Sequence, residues 1–191
     1  TILTLQSVED VHYSLVFIPE EGPHGTWVQA VGDTITCGSD DPSRPAGEVL
    51  RSLPSYSLEN RSSSKNIYLI GFQKLDPQRA KEVTDLGFKG FHQDEMPGCL
   101  YSLFATGAFA GSLIHTPNIY DFPASLQMAR ILGGDSITVH DRKPVRIENL
   151  WMDERANMLR LPGIVATSPD PAILDRLARL AQDWSQTRYE D

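Results

Sequence analysis

Long apolar runs are missing from this chain: no stretch approaches the ~20 consecutive apolar residues that a membrane-spanning helix needs. Basic clusters are missing too. The net charge is −8, and the densest cationic stretch, Arg142-Lys143 with Arg146, is too short for a phosphate-backbone footprint, so no nucleic-acid partner is expected. Only two cysteines are present, too few for a disulfide scaffold, and nothing in the sequence supports a Cys37–Cys99 bridge. A reducing, cytoplasmic location is the expectation that follows. The phosphate-cradling patterns GxxxxGK[ST] and GxGxxG do not occur, nor do GxSxG and HExxH. His92, Cys99 and His115 are too widely spaced for a zinc site, so neither a metal nor another cofactor is expected. The acidic pairs Asp40-Asp41 and Asp94-Glu95 sit in polar stretches and read as solvated charge.

What is present is an ordinary globular balance: 40% hydrophobic and 22% charged residues over 191 positions, enough for one core and one domain spanning 1–191. His12 to Ile18 (HYSLVFI) is rich in β-branched and aromatic residues and reads as a strand with His12, Ser14, Val16 and Ile18 on one face. PEEGPHG then turns the chain, and Thr26 to Val31 returns antiparallel. Residues 32–65 are polar and rich in Asp, Ser, Pro and Gly, which predicts a long loop or lid over a cleft, interrupted by a short strand near Tyr56. Asn66 to Phe72 reads as a buried strand. A helix follows from Asp76-Pro77 to about Leu86.

CLYSLFATGAFAGSLI, from Cys99 onward, is apolar nearly all round and predicts a buried helix. Pro123 to Leu132 predicts another, closed by Gly133-Gly134; Ser136 to His140 and Val145 to Trp151 predict strands. The final helix is the plainest, with Asp170 as cap, Pro171 first, and an apolar stripe through Leu174 and Leu177 to Trp184. The fold class expected is α+β, an antiparallel sheet with helices packed on it.

The candidate chemistry centres on Cys99, which follows the helix-breaking pair Pro97-Gly98. Unpaired N–H groups at a helix start favour a thiolate, and a nearby imidazole can act as base or ion-pair partner. The histidines on offer are His12, His24, His92, His115 and His140, the last beside Asp141; nothing local decides between His12 and His140.

The order of pieces resembles a circularly permuted papain-like (NlpC-type) fold, as in small fungal proteins of that type. The pieces are His12-Tyr13-Ser14-Leu15, Gly25-Thr26-Trp27-Val28-Gln29, and Gln93-Asp94-Glu95 leading to Cys99. Gln29 stands where the family strand carries a second histidine, and Gly98 where it carries asparagine before the cysteine. The resemblance implies Cys99 as nucleophile, His12 as base and Gln29 as polar orienter. It also implies acyl transfer through a thioester on a small-molecule or peptide substrate. The alternative is a non-catalytic binding or interaction protein on the same scaffold.

Overall fold

The computed structural model describes residues 1–189. The first half builds one antiparallel sheet in which chain neighbours are sheet neighbours: β1 (Ile2–Gln6), β2 (Val11–Ile18), β3 (Thr26–Val31), β4 (Thr34–Ser39) and β5 (Ser55–Tyr56). The alternation in VHYSLVFI and TWVQAV has the expected consequence. Val16, Ile18, Val28 and Ala30 point into the core, while Leu15, Phe17, Trp27 and Gln29 lie on the partly exposed face. The pairing of β2 with β3 agrees with the sequence expectation, Val16 standing opposite Val28 and Ile18 opposite Thr26.

The second half builds a mixed sheet. Strands β6 (Asn66–Ile70), β7 (Lys89–His92), β8 (Gly111–His115), β9 (Asp135–Thr138) and β12 (Ile164–Ser168) lie in the order β7-β6-β8-β12-β9. β6 runs parallel to both β7 and β8, whereas β12 is antiparallel to β8 and β9. A small ribbon, β10 (Trp151–Asp153) with β11 (Met158–Arg160), stands apart from it.

Helices fill and cover these sheets. Helices α3 (Leu100–Ala105) and α4 (Phe122–Ile131) lie between them. One apolar cluster joins Val16, Val28 and Ile35 to Phe104 and Met128, and another joins Phe122 and Leu126 to Val165. Helices α2 (Asp76–Asp85) and α5 (Pro171–Leu180) cover the far face of the mixed sheet, where Val83 and Leu177 pack with Ile67, Leu69, Ile164 and Ala166. The layers therefore run sheet, helices, sheet, helices. β12 is buried along its whole length because both of its faces are covered. In α5, Asp170 caps as its sequence predicts, its carboxylate accepting from the Ala172 amide at 2.7 Å.

Three local expectations are corrected. Residues 32–65 are not one long loop: Gly32-Asp33 makes a two-residue hairpin turn into β4, and helix α1 (Ala46–Ser52) and β5 follow. Cys37 accordingly lies buried on β4, not in a polar loop, and both cysteines are free thiols. The apolar run after Cys99 is two elements, not one helix. Gly107, at φ +83°, ends α3 where any Cβ would collide with the Ser62 backbone, and the chain re-enters the sheet as β8. Finally, 145–150 forms no strand, and β10 starts only at Trp151. Among the described residues no helix is long and apolar enough to cross a membrane.

Candidate functional site

A cleft of about 840 Å³ opens between the two sheets. Its floor is the carboxyl ends of the parallel strands β6 (Tyr68, Ile70, Gly71) and β8 (Ile114, His115), the usual location of ligand sites in open α/β sheets. One wall comes from the turn after β2, Glu20-Glu21-Gly22, and another from the entry to α4, Asn118 to Ser125. The start of α3 closes the side, with Cys99 and Tyr101.

The acidic side chains are held in place. Ser102 Oγ on α3 donates to Glu21 Oε2 at 2.6 Å, a short charge-assisted bond that ties the β2–β3 turn to the central helices. Asn118 does the same for Asp121: its amide nitrogen donates to Asp121 Oδ2 at 3.0 Å, while its oxygen accepts from the Tyr120 and Asp121 amides. Asp121 occupies the N-cap position of α4 without capping it, so its carboxylate is left for the cleft. Ser125, one turn on, lines the cleft with a buried hydroxyl that has no hydrogen-bond partner among the described residues. Arg160 and Arg188 reach the opposite rim. Both are anchored by Asp153, Arg160 Nε at 2.6 Å and Arg188 Nε at 3.7 Å, and Arg188 also donates to the His115 carbonyl at 2.7 Å.

This field is hostile to a thiolate. Burial pushes the Cys99 thiol above its ordinary value, and the Glu21 and Glu20 carboxylates push the same way against the Tyr101 amide and the chain's amino terminus. Burial, with Glu21 and Cys99 adding to it, drives the Cys37 thiol up to about 12. The Tyr101 hydroxyl is raised well above its usual range by burial first and the Asp121 carboxylate second. Tyr68 is raised to about 12, chiefly by burial.

The residues singled out from the sequence do not converge. Cys99 lines the cleft beside Ile18, but His12 lies six residues up β2 from Ile18, about 20 Å at ordinary strand rise. His12 is also exposed: Leu5 pairs with Tyr13 and Gln6 with Val11, so His12 is the bulged residue and leaves the face on which alternation placed it. Gln29 sits on the outer face of the first sheet, donating to the Tyr13 hydroxyl at 3.0 Å, while Cys99 packs on the inner face. His140 is exposed and lines a separate surface hollow with Pro144 and Arg146. His92 stands near Asp94 and Glu95, at 3.9 and 3.6 Å, and His115 is buried at the end of β8 against the Ser185 carbonyl. The expected Cys99–His12–Gln29 constellation is therefore not assembled. Glu20, Glu21 and Asp121, which line the cleft instead, went unremarked in the sequence. Their signal was local: Pro-Glu-Glu-Gly directly after an apolar strand, and an aspartate immediately before a Pro-containing helix.

No protein-family model matches the sequence, and no curated protein is similar to it at a significant level. Solved structures do match in fold. A dual-specific IMPase/NADP phosphatase bound with D-inositol-1-phosphate superposes with a TM-score of 0.58 at 16% identity, over 97% of this chain and 61% of that one. An IMPase/NADP phosphatase complexed with Mg²⁺ and phosphate gives 0.57 at 16%, over 95% and 58%. An inositol monophosphatase family protein from Staphylococcus aureus MSSA476 gives 0.60 at 15%, over 99% and 63%. This chain thus spans about three fifths of the length of the structures it matches. The likeness replaces the permuted papain-like fold, and with it the reading as a cysteine-dependent hydrolase or acyltransferase, by the fold of these phosphatases. What remains of the expected fold class is its coarser part, a mixed α+β protein.

Proposed function

We propose that the cleft binds a small phosphorylated molecule together with a hard divalent cation, and that the chain acts in phosphomonoester hydrolysis. The observation that carries this reading is a coincidence of fold and chemistry. The chain has the fold of proteins solved with inositol phosphate or with Mg²⁺ and phosphate, and its cleft gathers Glu20, Glu21 and Asp121 at the ends of the strands. Three carboxylates facing one cleft repel a phosphate dianion unless a cation lies between them.

Among the described residues no three acidic, histidine or cysteine side chains converge closely enough to cage a metal. The donors present fit Mg²⁺ in its more common arrangement, with one or two carboxylates and the remaining positions filled by water and by the ligand's own phosphate oxygens. Glu21 and Asp121 are the carboxylates to hold it, being fixed by Ser102 and Asn118. Bound there, such a cation supplies charge neutralisation and polarises a phosphoryl oxygen.

The chain's own groups do the positioning. In the first turns of α4, which opens on the cleft, the unpartnered Ser125 hydroxyl is a ready donor to an anion. Tyr68 and Tyr101 stay protonated at neutral pH and present O–H groups rather than charge.

Titration calorimetry with D-inositol 1-phosphate, paired with an assay of phosphate release, tests this. Binding is expected in Mg²⁺ and not in EDTA, and Glu21→Gln and Asp121→Asn should each weaken it by about tenfold or more, some 1.4 kcal/mol. Equal binding in EDTA, or binding indifferent to both substitutions, would sink the reading.

A further inference from the structure

The layers leave one side bare. Helices α3 and α4 fill the inner face of the first sheet, and its outer face ends the stack. Alternation puts Leu3 and Leu5 of β1, Leu15 and Phe17 of β2, and Trp27 and Val31 of β3 on that outer face. Three of them stand well into solvent, Leu3 at 58%, Leu5 at 63% and Val31 at 43% exposure. The ladder sets these side chains shoulder to shoulder: Leu3 lies opposite Leu15, Leu5 opposite Tyr13, Tyr13 opposite Val31 and Phe17 opposite Trp27. Polar atoms among them have partners already, Gln29 donating to the Tyr13 hydroxyl and Trp27 Nε1 to Asp40 Oδ1 at 2.8 Å. In a chain of net charge −8, no carboxylate, lysine or arginine stands on the β1–β4 positions of this face. β1 is also an edge strand, and ILTLQ has none of the charges or prolines that keep such a strand from associating.

Contiguous apolar surface of this kind marks a place where a partner docks. We propose that the outer face of the first sheet is the interface of a two-fold dimer, its occupant a second copy of this chain. Charge favours that partner: acidic chains repel one another, and here two copies meet without bringing like charges into contact. Shape favours it too. The side chains grade from leucine on β1 to Thr34 and Thr36 on β4. A two-fold axis along the strands therefore lays the tall side of each copy on the shallow side of the other, the self-complementarity that such an interface requires. The area suffices. Four strands ~4.8 Å apart and ~20 Å long present ~400 Å² per copy in flat projection, so a pair buries on the order of 1,000 Å² once side-chain relief is counted, the threshold for a specific interface.

Sedimentation equilibrium of the 191-residue chain in EDTA tests this without involving the cleft. At roughly 50 μM the chain should sediment at twice the 21.2 kDa of one copy, and added salt should tighten the pair by screening the like charges outside the contact. Leu5→Lys on the tall side and Thr34→Lys on the shallow side should each weaken the dimer at least about tenfold, because the two-fold axis applies every substitution twice. Circular dichroism should show both variants folded; if Leu5→Lys is not, Leu3→Lys takes its place. Met152→Lys, at an exposed apolar position on β10, should leave the dimer intact. A monomer at that concentration overturns the proposal, whatever else the face then takes, and so does a dimer indifferent to Leu5→Lys. Loss with Leu5→Lys but not with Thr34→Lys would place the contact along the β1 edge, which also overturns it.

Discussion

At the scale of single residues, the environment of Cys99 decides what its thiol can do. A helix of six residues offers a weak dipole, and two glutamates face the sulfur, so the thiolate is disfavoured on both counts. Iodoacetamide should label Cys99 in the native protein more slowly at pH 7 than it labels a free thiol, with the rate still rising at pH values where that of a free thiol has levelled off. Fast labelling near pH 6 would contradict this. Asp153 is the opposite case. Burial pushes its carboxyl up, but the Tyr189 hydroxyl and Arg160 outweigh that and hold it below the ordinary range. A depressed carboxyl stabilises the fold fully above its unfolded pKa of about 3.9, and loses that contribution as pH falls through its lower folded value. Asp153→Asn should cost about 3–5 kcal/mol in denaturant unfolding near neutral pH, since Arg160 and Arg188 lose their buried counter-charge. The variant should also lose part of the wild type's further fall in stability below pH 4.

At the scale of elements, the segment from Cys99 to His115 shows how packing overrides composition. A stretch apolar on all sides suits a buried helix and a strand covered on both faces equally well. The break comes at Gly107, where the chain turns left-handed against the Ser62 backbone. Gly107→Ala should destabilise by about 1–3 kcal/mol, measured from the urea midpoint, because neither the backbone angle nor the space admits a methyl group. A neutral outcome would mean that the Ser62 segment can give way. The hairpin at Gly32-Asp33 was missed, although glycine and aspartate between two alternating runs are the residues a two-residue turn prefers. The polar composition of 32–65 as a whole hid it.

At the scale of the molecule, the site lies where two sheets and two central helices meet, so its parts are far apart in sequence. Glu21 and Ser102 are bonded across 81 positions, and Arg160 bonds the Thr116 carbonyl across 44. A ligand that spans this junction binds only the assembled form and must stabilise the whole fold. On the proposed function, Mg²⁺ and D-inositol 1-phosphate at 100 times the dissociation constant should add about 2.7 kcal/mol, a shift of several degrees in thermal midpoint that EDTA should abolish. A midpoint unmoved by saturating ligand would show that no such site forms.

The sequence by itself determined the elements whose signals are local. These are β2 and β3 with their antiparallel pairing, the Pro-started helices α2 and α5, and the helix at α4. Alternation, caps and turn residues act over a few positions, and tertiary contacts had only to accept them. Only the tertiary structure decided where the chemistry lies. A one-residue bulge took His12 off its expected face, the sheet put Gln29 on the side away from Cys99, and the approach of α3 and α4 to the β2 turn brought carboxylates around one cleft. Those are long-range placements, fixed by which faces bury against each other, and no spacing along the chain encodes them.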